Sequence, residues 1–222
     1  MPEQIAAEST ERGMHMVQPT WLPQLQTKLH GLDAPISQIP LMSAAPQKEG
    51  VRPRPAAVLL PIHVHAAQAP SLLLTVRSQK LQHHPGQIAF PGGAADRGDQ
   101  GPAATAIREA WEEVGMPSGQ VQPLGYLDRL DTISGFRVVP VIAQVQGDYA
   151  LRLCEQEVDE VFHLPLSVAA ESSSYHFEKR EHNGKQFRLP VLQFHDWRIW
   201  GATAIMLWRL SVLMNDSSFS VL

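Results

Sequence analysis

Three carboxylates, Glu109, Glu112 and Glu113, are spaced i, i+3 and i+4 in the run Arg-Glu-Ala-Trp-Glu-Glu-Val-Gly at residues 108–115, downstream of Phe-Pro-Gly-Gly at Phe90–Gly93. On a helix that spacing gathers all three on one edge. Left unpaired, they repel one another. A divalent cation turns the repulsion into binding, and an oxygen-only donor set suits Mg²⁺ or Mn²⁺ rather than zinc. Stepping about 100° per residue, Ala103, Ile107, Ala110 and Val114 fall in one apolar stripe and the glutamates in a neighbouring sector. One side therefore packs while the other faces a ligand. Pro102 suits a first helical turn, and Gly115 followed by Met116-Pro117 supplies a stop. Gly92 and Gly93 lack a Cβ, which leaves their N–H groups free to approach an oxyanion.

At 222 residues the chain fits one well-buried domain with additions. A formal charge of −4 argues against a general nucleic-acid surface, because such binders carry a basic face. Any phosphate recognition is then local. Cys154 is the only cysteine, so no internal disulfide forms, and a reducing, cytoplasmic setting is expected. No stretch approaches the roughly 18 apolar residues of a spanning helix, and the closing Ser220-Val221-Leu222 is a poor peroxisomal address. The expected partner is a small molecule, with neither nucleic acid nor membrane involved, and a homodimer is left open.

Residues 1 to about 15 read as a mobile tail. Trp21, Leu22, Leu25 and Leu29 recur at helical spacing, with Gly31 closing the run, and residues 33–55 carry five prolines and read as an irregular connection. Strands are expected at Ala56–Ile62 and Leu72–Val76 with a loop containing Gln68–Ser71 between them, and at Val121–Leu127, Phe136–Val145 and Glu157–Phe162. Arg77–Ala89 reads as a loop, Phe90–Gly93 as a turn and Leu166–Glu171 as a short helix. Asn183-Gly184 between Tyr175–Glu181 and Lys185–Phe194 is a strong hairpin signal. Gly201–Met214, whose only charge is Arg209, reads as a packed terminal helix. Interleaved strands and helices imply an α/β sandwich on a mixed sheet. The bland readings make Phe194, Trp197 and Trp200 core packing and Cys154 a passive thiol. His63 and His65 become a strand pair with nothing nearby to complete a metal site, and His83 and His84 become exposed loop residues.

With these residues in hand, the chain resembles the Nudix hydrolases. Their box is Gly-x5-Glu-x7-Arg-Glu-U-x-Glu-Glu-x-Gly-U, with U aliphatic, and Arg108, Glu109, Ala110, Glu112, Glu113, Gly115 and Met116 match its second half. In the first half Ala94 and Gln100 stand where the box has Gly and Glu. Gly93 and Asp99 adjoin them, as though the loop were one residue longer. That lengthened loop, with Asp96 and Asp99, is similar to the coenzyme A pyrophosphatase branch. The branch's upstream signature is matched by Leu73-Leu74-Thr75-Val76-Arg77-Ser78, Gly86 and Phe90-Pro91-Gly92-Gly93, with Gln82 in place of a second arginine.

The resemblance implies an α/β/α sandwich, with residues 1–50 a tail, short helix and Pro-rich connection and 51–222 the Nudix domain. It implies metal-dependent cleavage of the diphosphate of coenzyme A or its derivatives into 3′,5′-ADP and 4′-phosphopantetheine, with Glu109, Glu112 and Glu113 holding Mg²⁺ or Mn²⁺. The catalytic candidates are Glu112, Glu113 and Glu157, the last as a general base from a later loop. Arg77, Lys80, Gly92 and Gly93 are candidates for substrate contact. Arg108 orients a box carboxylate, with Asp99 beside it. Two alternatives stay open: a diphosphatase for another nucleotide such as ADP-ribose, and a Nudix module that senses a nucleotide without cleaving it.

Overall fold

The computed structural model describes residues 19–43, 52–65, 68–182 and 184–215. In chain order the elements are α1 (Trp21–Lys28), β1 (Leu41–Ser43), β2 (Arg54–His65), β3 (Gln68–Arg77), β4 (Ile88–Ala89), β5 (Gly92–Ala94), α2 (Pro102–Val114) and β6 (Val121–Tyr126). They continue with β7 (Arg129–Asp131), β8 (Phe136–Val145), β9 (Val158–Pro165), α3 (Leu166–Ala170), β10 (Tyr175–His182), β11 (Lys185–Phe194), β12 (Trp197–Ile199) and α4 (Gly201–Asn215).

Strand alternation sets the layers. In β2 and β3, Leu60, Ile62, Val64, Leu72 and Leu74 point to one side, where they meet Trp21, Leu22 and Leu25 of α1, Leu166 and Ala169 of α3 and Leu207 and Leu210 of α4. Ala57, Leu59 and Leu73 point to the other, against Ala106, Ala110 and Val114 of α2. A sheet apolar on both faces needs cover on both, and helices supply it. The nine-stranded sheet is mixed: β2 runs parallel to β8 and β1 to β7, while the β2–β3, β2–β5, β3–β4, β3–β9, β6–β8 and β7–β8 pairs are antiparallel. β10, β11 and β12 form a separate antiparallel sheet. Asp128, buried between the layers, accepts from Arg209 Nε of α4 at 2.6 Å and lies 2.8 Å from His30 Nε2 just beyond α1. The lone charge of α4 is thereby paired.

Several expectations need correction. Gln68–Ser71 is strand, not loop, because Ser71 and Gln68 continue the ladder opposite His63 and His65. Backbone pairing does not ask whether the side chain is apolar. Phe90–Gly93 is not a free turn: Gly92–Ala94 pairs with β2, Gly93 opposite Ala57. Ile88–Ala89, expected in a loop, pairs with β3. Leu41–Ser43, in the stretch read as irregular, pairs in parallel with Arg129–Asp131, itself unforeseen. The strand expected from Glu157 starts at Val158 and runs to Pro165. Phe194 and Trp197 stack with Phe162, as core packing demands, but Trp200 is 39% exposed, with Arg180 and Arg198 over its ring. The N-terminal tail, Asn183 and the closing Ser220-Val221-Leu222 lie outside the described residues.

Candidate active site

α2 is the helix the periodicity predicts, and Gly115 ends it in the left-handed conformation at φ 70°, its N–H bonded back to Ala110 and Trp111 carbonyls. The helix does not display its three glutamates equally. Glu113 is 4% exposed, while the Glu109 side chain is 15% and the Glu112 side chain 54% exposed. The single edge thus divides into an inner pair one turn apart, Glu113 buried and Glu109 partly so, and an outer Glu112. Burial raises the Glu113 carboxyl to a pKa of about 8, and the charges of Glu109 and Glu157 push the same way. Arg77 and a backbone hydrogen bond from Gly92 oppose the rise. Glu109 is raised too, first by burial, against the pull of Arg108.

Arg108 is a hub. Its Nε and Nη2 donate to the two oxygens of Asp99 at 3.1 and 3.0 Å, Nη1 donates to Glu109 at 2.9 Å and Glu112 at 3.1 Å, and Nη2 also reaches the Ala94 carbonyl at 3.0 Å. Asp99 is fixed in turn by the Asp96 N–H at 2.8 Å and Thr105 Oγ1 at 2.9 Å. Hydrogen bonding to Arg108 holds the Asp99 carboxyl well below the usual range. The planar fork of Arg suits this simultaneous grip on several oxygens.

The glycines are close-packed rather than open. A Cβ on Gly93 would lie 2.6 Å from the Glu109 carboxylate, and one on Gly92 would lie 2.5 Å from the Ala57 carbonyl and 2.6 Å from Val58 Cα. Gly93 therefore lets β5 press directly on the acid pair. Arg77, at the end of β3, acts electrostatically on Glu113, and its Nε is buried without a hydrogen-bond partner. Glu157 is exposed at the entrance to β9. Lys80 is exposed too, its Nζ 3.4 Å from the Glu155 carbonyl.

Among the described residues no three His, Cys, Asp or Glu side chains stand ready-made as a cation cage. The donor set nevertheless fits a hard divalent ion: Glu109, Glu113 and Glu157 offer only oxygens, they repel one another, and Gly93 removes the bulk that would separate them.

Other candidates fall elsewhere. His163, on β9, joins the His63 and His65 pair: its ring lies 4.9 Å from that of His63, which is 6.0 Å from His65 and bonds Tyr149 Oη at 2.8 Å through Nε2. Burial lowers His63 to about 4, helped by the two neighbouring rings. Cys154 is partly buried, and its N–H bonds the Glu113 carbonyl, which ties this loop to the end of α2. An apolar depression of about 530 Å³ lies on the flank of α2 away from Glu109 and Glu113, lined by Ile107, Trp111 and Pro117.

Sequence reasoning passed over Thr105 and Ser78. Thr105 stands one turn before Glu109, on the side of the helix facing Asp99, a signal available in the helical wheel. Ser78 belongs to the matched signature, but its partner Asp159 is distant in sequence, 2.7 Å from Ser78 Oγ.

A large mixed sheet between helices, with an acidic helix docked on a Gly-Gly strand, defines a Nudix-type α/β fold. The NUDIX domain pattern matches residues 53–183. A protein of Pectobacterium atrosepticum described as an uncharacterized Nudix hydrolase, NudL, is 41% identical over 163 residues, 73% of this chain and 84% of that one. The NudL protein of Enterobacter sp. (strain 638) is 38% identical over 181 residues, 82% of this chain and 93% of its own. Among solved structures, the Nudix hydrolase RenU of M. smegmatis aligns with a TM-score of 0.44 at 25% identity, covering 51% of this chain and 71% of that one. The chain belongs to the Nudix family and is a Nudix hydrolase, a class that acts on pyrophosphate bonds.

Proposed function

We propose that the protein hydrolyses the diphosphate linkage of coenzyme A or an acyl derivative, giving 3′,5′-ADP and 4′-phosphopantetheine or its acyl form. The observation that carries this reading is Arg77. It is the arginine of the Leu-Leu-Thr-Val-Arg-Ser signature, and it reaches the acid pair with a buried Nε that has no partner. Buried donors without partners are rare and costly, and a substrate phosphate satisfies one with a charge-assisted bond.

In this reading Glu109 and Glu113 hold Mg²⁺ or Mn²⁺, with Glu112 and Glu157 contributing from the exposed side. The bound ion would neutralise phosphate oxygens and lower the pKa of its water. Arg108 keeps Glu109 and Glu112 aimed, and Asp99 keeps Arg108 aimed. Arg77 draws a phosphate toward Glu113, and Lys80 adds positive charge at the entrance. Glu157, exposed yet electrostatically coupled to Glu113, takes the proton from the attacking water. A reducing cytoplasm fits the single Cys154.

Gln82, in place of the signature's second arginine, favours a second reading, in which another nucleoside diphosphate derivative such as ADP-ribose is cleaved. The test is a kcat/KM panel over coenzyme A, acetyl-coenzyme A, ADP-ribose and a dinucleotide with Mg²⁺ or Mn²⁺, the products resolved by chromatography. Release of 3′,5′-ADP with coenzyme A preferred at least tenfold, about 1.4 kcal/mol in transition-state binding, supports the first reading. A preference for ADP-ribose overturns it in favour of the second.

A further inference from the structure

Where β3 meets β9 the ladder slips: Val76 lies opposite Glu160, but Arg77 lies opposite Val158, which leaves Asp159 as the extra residue. Such a bulge bends the strand and re-aims a side chain. Its effect is visible in the packing, since Val158 and Val161, an odd number of residues apart, both join the cluster under α2. A regular strand would send them to opposite faces.

The extra residue turns back over the end of β3. Asp159 accepts from the buried Ser78 Oγ at 2.7 Å and from the Gln79 N–H at 2.9 Å. Ser78 N–H in turn donates to the Glu157 carbonyl at 2.8 Å, and the Lys80 N–H leans on Ser78 Oγ at 3.3 Å. Asp159 therefore ties the residue after Arg77 to the residue next to Val158, and Glu157 and Arg77 leave that junction together toward Glu113.

We infer that Asp159 is a positioning residue of the hydrolase: by clamping Ser78 and Gln79 through the bulge, it holds the Glu157 carboxylate in its working place relative to Arg77 and Glu113. This rests on the reading that puts Glu157 at the reaction centre. Asp159 is exposed apart from these two hydrogen bonds, so its removal changes geometry more than burial. Small displacements of a reacting group are costly in rate, up to about 10²-fold for 1 Å.

The experiment is a double-mutant cycle of D159A and E157Q, with D159N alongside. It uses whichever of coenzyme A, ADP-ribose and diadenosine tetraphosphate the wild-type protein cleaves fastest. The expected result is a kcat loss of about tenfold in D159A with KM nearly unchanged, partial recovery in D159N, which keeps one acceptor oxygen for Ser78, and a D159A/E157Q double variant no slower than E157Q alone. A slowed E157Q whose loss multiplies with that of D159A overturns the clamp alone, as does a D159A protein with wild-type kcat. An E157Q protein with wild-type kcat overturns the role of Glu157, and the clamp with it.

Discussion

A group of titratable side chains lies beside each end of β2, one centred on the buried Glu113 of α2 and the other on the buried His63 of β2 itself, and the two settle in different ways. At the start of the strand, Gly92 and Gly93 pair with Val58 and Ala57 and press on Glu109 and Glu113, where burial and the Glu109 charge raise the Glu113 carboxyl beside an arginine nitrogen with no partner. At the far end, His63, His65 and His163 pack ring to ring, and burial keeps His63 neutral. Neutral neighbours meet it: Tyr149 Oη for His63 Nε2 and Ser71 Oγ for His163 Nδ1. The difference teaches that burial of ionisable groups is not by itself a mark of function. The histidine end settles by losing charge, and although His63 Nδ1, like Arg77 Nε, is buried without a hydrogen-bond partner, the neutral ring carries no charge that a ligand must balance. At the acid end burial holds a proton on Glu113 near neutral pH beside a guanidinium and two further carboxylates, an arrangement that a cation would complete by displacing that proton and a phosphate by pairing with the arginine.

The contrast is broken most severely at Glu113. Glu113→Gln keeps the shape and the burial but removes the carboxylate that a cation would bind after displacing its proton, and kcat on the preferred diphosphate should fall on the order of 10³-fold with an unchanged circular dichroism spectrum. A retained kcat would put the acid end in the same category as the histidine end. The adjacent glycines separate site from scaffold. Gly93→Ala meets only the movable carboxylate of Glu109, so kcat should drop about 10²-fold with a small change in Tm. Gly92→Ala meets the Ala57 and Val58 backbone, so it should lower stability by about 1–3 kcal/mol. Paired kinetics and thermal melts decide this, and equal effects on both would contradict the assignment.

Arg108→Lys keeps the charge but loses the fork that grips Asp99, Glu109 and Glu112 together. Activity should fall about 10–100-fold, with a higher Mg²⁺ concentration needed for half-maximal rate. His63 should give the smallest effect on turnover and a distinct signature in stability. Its folded pKa of about 4 lies below the unfolded value of 6.5, so between those limits the unfolded chain binds the extra proton. Stability is therefore complete above 6.5, erodes as pH falls toward 4, and loses up to about 3 kcal/mol from this residue. His63→Phe should flatten that slope in denaturant melts and leave kcat within about twofold; a large kcat loss would join the two ends functionally.

The elements set by local pattern were legible in the sequence: α2 from its apolar stripe and Gly115 stop, the β10–β11 strands from their lengths around Gly184, and α4 from an apolar run whose one charge is Arg209. The three-residue strands β1 and β5 were not, because such pieces exist only through partners far along the chain, and β7 is the distant partner of β1. The roster of acidic residues was legible at the site, but their inequality was not. A helical wheel places Glu112 and Glu113 on one sector; that Glu113 is covered and Glu112 is not depends on β5 and Arg77, which local periodicity does not see. His163 and Asp159 were hidden for the same reason. One reaches His63 across β3, and the other is singled out only by a slip in register.

The claim that the buried Glu113 is a cation ligand is tested most directly by titrating Mn²⁺ into the metal-free protein by calorimetry at pH 7, in two buffers of different ionisation enthalpy. Because the Glu113 pKa of about 8 keeps it protonated at that pH, binding should release up to about one proton, and Glu113→Gln should abolish both the proton release and the tight site. Mn²⁺ binding of equal affinity to the wild-type and Glu113→Gln proteins, with no proton released from either, would contradict the account.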